Sequence, residues 1–330
     1  MLKKTVSLIV AVLLALSALA CLAEDFPVTI HTFNHEKEAI DVTLEKAPER
    51  VIVAYQDNIE IMLKLGLADR IVCAFGLDQP IVEGDELYEE FSKIPYYEER
   101  PSQEEAINLE PDAIIGWFSL FADDRMGDAG FWNERGVATY MANNSGGNLK
   151  NLPDGQTVEN EMEDILNIGA MFGKTAEAQA IVDEMQAEID RVVEYMETTG
   201  VDPMGIAILE DEGDSFRVYG TNTIGGNIAE AVGAVLAVGG EDSQNIGAED
   251  LIVLDPDKIF MIWFEGYITP EQAIASITEN PAFANLKAVK NGDVYALNLV
   301  QVYCPGLHMM EAIQTFGAGL YPELYASDAA

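Results

Sequence analysis

Glu104-Glu105-Ala106-Ile107-Asn108-Leu109-Glu110-Pro111-Asp112 returns 145 residues later as Glu249-Asp250-Leu251-Ile252-Val253-Leu254-Asp255-Pro256-Asp257. Each copy runs into an apolar segment with a tryptophan at its end, Trp117 in one case and Trp263 in the other. A proline and an acid after an amphipathic turn end a helix and feed a strand, so part of the match is punctuation that arises by convergence. The shared acidic pair, the constant offset and the aromatic exit go further, and they point to two related halves.

Outward from the first copy, short apolar runs at 50–54, 71–75, 113–117 and 138–141 read as strands. Residues 58–67 place Ile59, Leu63 and Leu67 on one face of a helix. Strands separated by helices predict a parallel sheet covered on both faces. The same grammar restarts after residue 200, with strand candidates at 204–209, 216–219, 258–264 and 292–297. Between the halves, residues 160–198 are helical in propensity, broken only near Gly169 and Phe172-Gly173-Lys174. Residues 175–198 would span about 35 Å as one helix, a strut and not a flexible linker. The expected fold is α/β: two lobes with parallel-type central sheets flanked by helices, bridged by one long α-helix. The expected bounds are 22–159 for the N-terminal lobe, 160–199 for the helical segment and 200–330 for the C-terminal lobe.

With 330 residues, of which 49% are hydrophobic, the chain can build two cores. Lys and Arg number 18 against 57 Asp and Glu, a formal charge of −39, which excludes a nucleic-acid partner and suits a solvated surface. Lys3 and Lys4 precede an apolar run from Val6 to Ala20 with small residues following, which is a signal peptide over residues 1–21. Ser17-Ala18-Leu19-Ala20-Cys21 resembles a bacterial lipobox, with Ala18 and Leu19 in place of the usual Leu and small residue. Lipidation of Cys21 is expected, and cleavage after Ala20 or Ala23 is the alternative. The protein is then exported, held at the outer face of the cell membrane through a lipid anchor at most, or free in a periplasm. Cys73 and Cys304 are expected to be buried thiols and not a disulfide.

Taken in order, Pro48-Glu49-Arg50-Val51-Ile52-Val53, Leu65-Gly66-Leu67-Ala68-Asp69-Arg70-Ile71-Val72, the two repeat copies, Asn280-Pro281-Ala282-Phe283 and Ala288-Val289-Lys290-Asn291-Gly292-Asp293-Val294-Tyr295 resemble one family. It is that of the helical-backbone substrate-binding proteins of iron-chelate and cobalamin ABC importers, and the resemblance covers roughly residues 47–324. It implies a ligand held between the lobes, a small hinge closure, and an ABC permease with its ATPase as partners. It also implies that Glu104 and Glu249, on top of their lobes, dock against basic residues of the permease.

Ligands of open α/β sheets bind beyond the C-terminal ends of the strands. Strand exits therefore nominate Tyr55, Gln56, Trp117, Phe118, Arg217, Tyr219, Trp263, Phe264, Gln301 and Tyr303 as ligand-binding residues. Rings suit large planar or catecholate ligands, and a guanidinium suits an anionic ferric chelate; the competing reading of Arg217 is a surface salt bridge with Asp211 or Asp214. The glycine-rich stretch 221–227 would bring a helix N-terminus toward the cleft. His31, His35 and His308 do not make a transition-metal set, and His308 is the one candidate for a haem iron bond. The expected protein is a monomer with no cofactor and no catalytic residues, binding a ferric siderophore or related metal chelate, with a corrinoid or haem as alternatives. A chelatase-like enzyme needs a His with paired carboxylates, which the strand exits do not supply. A surface adhesin or sensor on the same fold would differ only in its partner.

Overall fold

The computed structural model describes residues 26–146 except 35 and 37, residues 155–238, 244–303 and 305–326. The signal segment, Cys21, His35 and Cys304 lie outside the described residues.

A hairpin of β1 (Val28–Phe33) and β2 (Ala39–Leu44) precedes the first sheet. That sheet is four parallel strands in the order β4-β3-β5-β6, from β3 (Val51–Ala54), β4 (Ile71–Phe75), β5 (Ala113–Gly116) and β6 (Ala138–Met141). Helix α1 (Gln56–Lys64) follows β3, and α2 (Gln103–Asn108) precedes β5. The second sheet uses β7 (Gly205–Asp211), β8 (Phe216–Val218), β9 (Val235–Leu236), β10 (Gln244–Ile246), β11 (Lys258–Trp263) and β12 (Val294–Asn298). Its parallel strands run β9-β7-β11-β12, so each sheet places its first parallel strand between its second and third. The difference from an all-parallel expectation is an antiparallel ribbon, in which β8 and β10 pair in turn beside the C-terminal half of β7.

Side chains alternate between two buried faces along every central strand. Val51, Val53, Ala113 and Ile115 join Ile206, Ile208, Phe260 and Ile262 in one continuous inner core shared by both lobes. Ile52 and Ile114 face an outer core of the first lobe, and Ala207, Leu209, Ile259 and Met261 face that of the second. Helices α3 (Val158–Met171) and α4 (Thr175–Thr199) carry the chain between sheets. Helix α4 buries Ala178, Val182, Met185, Ile189 and Val192 on one face and ends at Gly200, φ 67°, the left-handed conformation that glycine adopts without cost. Because this inner core is continuous through both lobes, the frame resists large relative motion of the lobes.

The two repeat copies occupy matching places. Asp112 accepts hydrogen bonds from the Glu49 and Arg50 amides (2.9 and 2.8 Å), and Asp257 accepts one from Gly205 (3.1 Å), so each pins the start of its lobe's first strand. Glu110 and Asp255 both adopt positive φ, 49° and 40°, a conformation rare outside glycine. The acidic pair divides its work in the same way in both lobes. Glu105 takes the Ser102 amide at 2.8 Å, and Asp250 takes the Gly247 amide at 2.9 Å, each closing the first turn of its helix. Glu104, on α2, and Glu249, on the helix Ala248–Leu254, stay exposed.

Candidate functional site

Tyr55 follows β3 with φ 75° and ψ 152°, and its amide donates to Phe75 O at 3.0 Å. A non-glycine residue so placed costs of order 1–3 kcal/mol, and such strain collects at functional sites. Here it lays the phenol ring on the Trp117 indole, centroids 4.6 Å apart and 28° between planes. Gly76 makes this possible: a Cβ there would lie 3.2 Å from the Tyr55 ring. Tyr303, from the other lobe, meets the Trp117 face edge-on at 5.8 Å and is 46% exposed. Three rings from three strand exits thus cross the lobe junction in one ladder. Tyr55 OH lies 3.1 Å from Ser119 Oγ, and Arg125 Nη1 reaches it at 3.5 Å.

In the second lobe Arg217 stacks over the Tyr219 ring at 5.2 Å and lies 3.7 Å from Glu210, not paired to Asp211 or Asp214. Tyr219 OH donates to Glu210 at 2.8 Å, and burial, then the Glu210 charge, push this phenol far above its ordinary range. Each lobe therefore brings one guanidinium beside one tyrosine.

Beneath the ladder lies a buried polar layer. Asp57 is 7% exposed; it takes Trp117 Nε1–H at 2.8 Å and Asn58 Nδ2–H at 2.9 Å. Burial first, then the charge of Glu161, lift its carboxyl to about 8. Glu161 takes Asn144 Nδ2–H at 2.8 Å and, across the junction, the Gly306 amide at 3.1 Å. Asp164 takes Tyr140 OH and the Asn143 amide, and burial raises both its carboxyl and that of Glu161.

Several nominated residues stand elsewhere. Gln56 is buried, its amide bonded to Glu60 and to the Asp78 and Gln79 amides, so it anchors the loop after β4. Trp263 packs at the edge of the outer core of the second lobe. Phe264 stacks on exposed Tyr267 at 4.7 Å. The Phe118 amide donates to Ser145 Oγ at 2.9 Å. Gln301 Nε2 donates to Glu311 at 3.3 Å. The helix starting at Ile224 has its amides taken by Gln156 and the Thr223 hydroxyl, which leaves that N-terminus engaged by the protein itself.

His308 corrects one expectation. Folding does build a His with paired carboxylates: Nδ1 lies 3.2 Å from Glu311, and Nε2 lies 3.0 Å from Glu60, out of line for a hydrogen bond. Although burial opposes its charge, Glu311 and Glu60 hold the ring protonated up to about 10. Nε2 faces Glu60 across the lobe junction while Nδ1 stays with Glu311 in its own lobe, beside a flanking cavity of about 460 Å³. Cys73 is a free buried thiol, its pKa pushed up to about 12 by burial. Sequence reasoning passed over Asp57 and Arg125; scarce arginine in the loop after β5 was the signal for the second.

Glu104 lies at the strand-exit end of its sheet, because neighbouring Gln103 donates to Met126 O in the loop that leaves β5. Glu249 follows β10, whose last residue is level with the C-terminal end of β7 through β8. Both acids therefore stand at the cleft ends of their lobes.

Two α/β lobes on a shared core, with rings and guanidinium groups meeting at facing strand exits, define a receptor for a small solute. Residues 51–299 match the periplasmic binding protein family, and the chain belongs to it. It is 30% identical to a periplasmic binding protein of Veillonella parvula over 91% of this chain and 93% of that one, with a TM-score of 0.81. An ABC transporter substrate-binding lipoprotein of Bacillus subtilis, YvrC, is 22% identical over 92% of this chain and 88% of its own length. The Fe(3+)-citrate-binding protein YfmC of the same organism is 30% identical over 37% of this chain and 35% of its own length. The chain is a substrate-binding protein of the ABC-transporter class, whose members work with a permease and an ATPase.

Proposed function

We propose that this protein captures a ferric siderophore or related iron chelate in the interlobe cleft and delivers it to its permease. The ladder of Tyr55, Trp117 and Tyr303 carries this reading, because three rings at one junction offer broad apolar faces with few polar tips. Arg125 and Arg217, one from each lobe, supply positive charge for an anionic chelate in a chain that otherwise repels anions. The Fe(3+)-citrate-binding relative supports an iron chelate as cargo. Of the other nominated residues, Gln301, Phe118 and Tyr219 line or support this cleft in our reading, while Trp263 serves the outer core of its lobe and Phe264 its ring pair with Tyr267. His308 is held by two carboxylates, which disfavours an axial bond to haem. Binding without turnover follows from the family, with no resident cofactor and no catalytic residues.

Residues 1–21 direct export, Cys21 carries the lipid anchor at the outer face of the membrane, and the mature protein acts as a monomer; the lipoprotein relative supports the anchor. Among the described residues no helix is long and apolar enough to cross a membrane. The lobes span 22–159 and 200–330 with 160–199 between them. Glu104 and Glu249 contact the permease. Titration of residues 22–330 with ferric siderophores, ferric citrate, cobinamide and hemin, followed by tryptophan emission, tests the cargo. Saturable quenching by an iron chelate is expected; quenching by hemin or cobinamide alone would overturn the assignment.

A further inference from the structure

Trp117 is held from below by a group that no ligand would touch. Its Nε1–H donates to Asp57 Oδ2 at 2.8 Å, while Asp57 is buried and backed by the Gly306 backbone of the opposite lobe. The Gly306 amide in turn donates to Glu161. One compact set therefore joins a ring of the cleft to the contact between lobes. We propose that Asp57 is a positioning residue that locks the Trp117 indole in the cleft, so that the protonation of this carboxyl tunes ring geometry and lobe contact together. The inference rests on the cleft being the ligand site.

Among the described residues, no cation offsets this carboxyl. From its own helix it faces Glu60; from α3, Glu161 and, further off, Asp164. The segment at Gly306 brings His308, but that ring is taken by Glu60 and, from the following helix Met309–Leu320, by Glu311. A second negative charge beside Glu161 in this dry layer would repel it across the distance that the Gly306 amide bridges. Neutral Asp57 accepts the indole N–H without that repulsion. Ionised Asp57 accepts it more strongly but pushes against Glu161, so the indole and the junction shift as one.

The experiment uses the mature protein with wild type, Asp57→Asn, Asp57→Ala and Trp117→Phe, reading tryptophan emission from pH 6 to 9.5 without ligand. Affinity for ferric citrate or the tightest ferric siderophore at pH 6 is the second readout. Wild type should show an emission step near pH 8, where burial places the Asp57 titration. Asp57→Asn, isosteric with the neutral acid, and Trp117→Phe should both lose it. Asp57→Ala should bind about tenfold more weakly, the size expected for one lost hydrogen bond, with Asp57→Asn largely restoring affinity. Should Asp57→Ala fail to fold, the emission step in wild type and Asp57→Asn decides alone. No step in wild type, a step that survives in Asp57→Asn, or unchanged affinity in folded Asp57→Ala overturns the proposal. A normal step with no chelate bound by wild type would instead count against the cargo reading.

Discussion

Gly306→Ala is the sharpest perturbation the junction offers. Gly306 has φ 43°, and a Cβ there would lie 2.9 Å from Asp57 Cβ and 3.0 Å from Asp57 Cα. Alanine at a left-handed φ costs about 1 kcal/mol. The methyl group also meets an atom of the main chain that no rotamer can move, so the lobes must part by several tenths of an ångström. Overpacking of this kind costs about 1–3 kcal/mol. Together the loss is about 2–4 kcal/mol. Gly292→Ala is the control, because Gly292 has φ 76° but nothing within 4 Å of its added Cβ, so only the conformational cost of about 1 kcal/mol applies. Urea unfolding of both variants measures the difference, and titration with the cleft ligand reads its functional side. Gly306→Ala should lose more stability than Gly292→Ala and should also bind more weakly, since its amide can no longer reach Glu161 at 3.1 Å. Equal loss in the two variants, or unchanged affinity in a destabilised Gly306→Ala, would refute the wedge.

Stability should fall as pH rises from 5 to 9. Asp57 is raised on folding to about 8, so its contribution is full below the unfolded value near 4 and is lost as pH climbs through 8. His308 acts in the same direction, full below about 6.5 and lost through 10; a urea midpoint that rises over this range would contradict both. Glu104→Lys combined with Glu249→Lys should abolish uptake in cells while leaving affinity within about twofold, since both acids are exposed on helices that carry none of the three rings; unchanged uptake would remove the docking role. Glu110→Gly should stabilise by up to about 1 kcal/mol by relieving its positive φ. Asp255→Gly should gain less, because it also loses the Lys287 amide bond at 2.9 Å; thermal melts that reverse this order would show that the two copies are strained differently.

The sheets were legible because central strands buried on both faces read as unbroken apolar runs, as at Val51–Ala54 and Ala113–Gly116. The hairpin β1–β2 and strands β9 and β10 were not, being short or alternating segments that draw their pairing from distant partners. The polar layer was hidden for another reason. Asp57, Glu161 and Asp164 are three among 57 acids, and their helical spacing is that of an ordinary solvated face. Only the meeting of α1, α3 and the Gly306 segment turns that face inward.

The repeat also shows why a shared frame does not give a symmetric site. Val51 and Ile206 hold equivalent strand positions just past the amides taken by Asp112 and Asp257, which sets Tyr55 against Glu210 at the exits. One lobe thus offers a strained ring where the other offers the acid that holds Tyr219 and Arg217. The tryptophans diverge through register. Along β5, Ile115 faces the inner core, and Trp117, two residues on, stays on that side and reaches the junction. Along β11 it is Phe260 and Ile262 that face the inner core, so Trp263 falls on the opposite face, against the outer core of its own lobe. Strand side chains alternate with period two, and a displacement of one residue is enough to move an aromatic from the ligand to the scaffold. The ring that the second lobe does bring to Trp117 is Tyr303, carried by the short helix after β12 and so by a different strand exit from the one the repeat would have used.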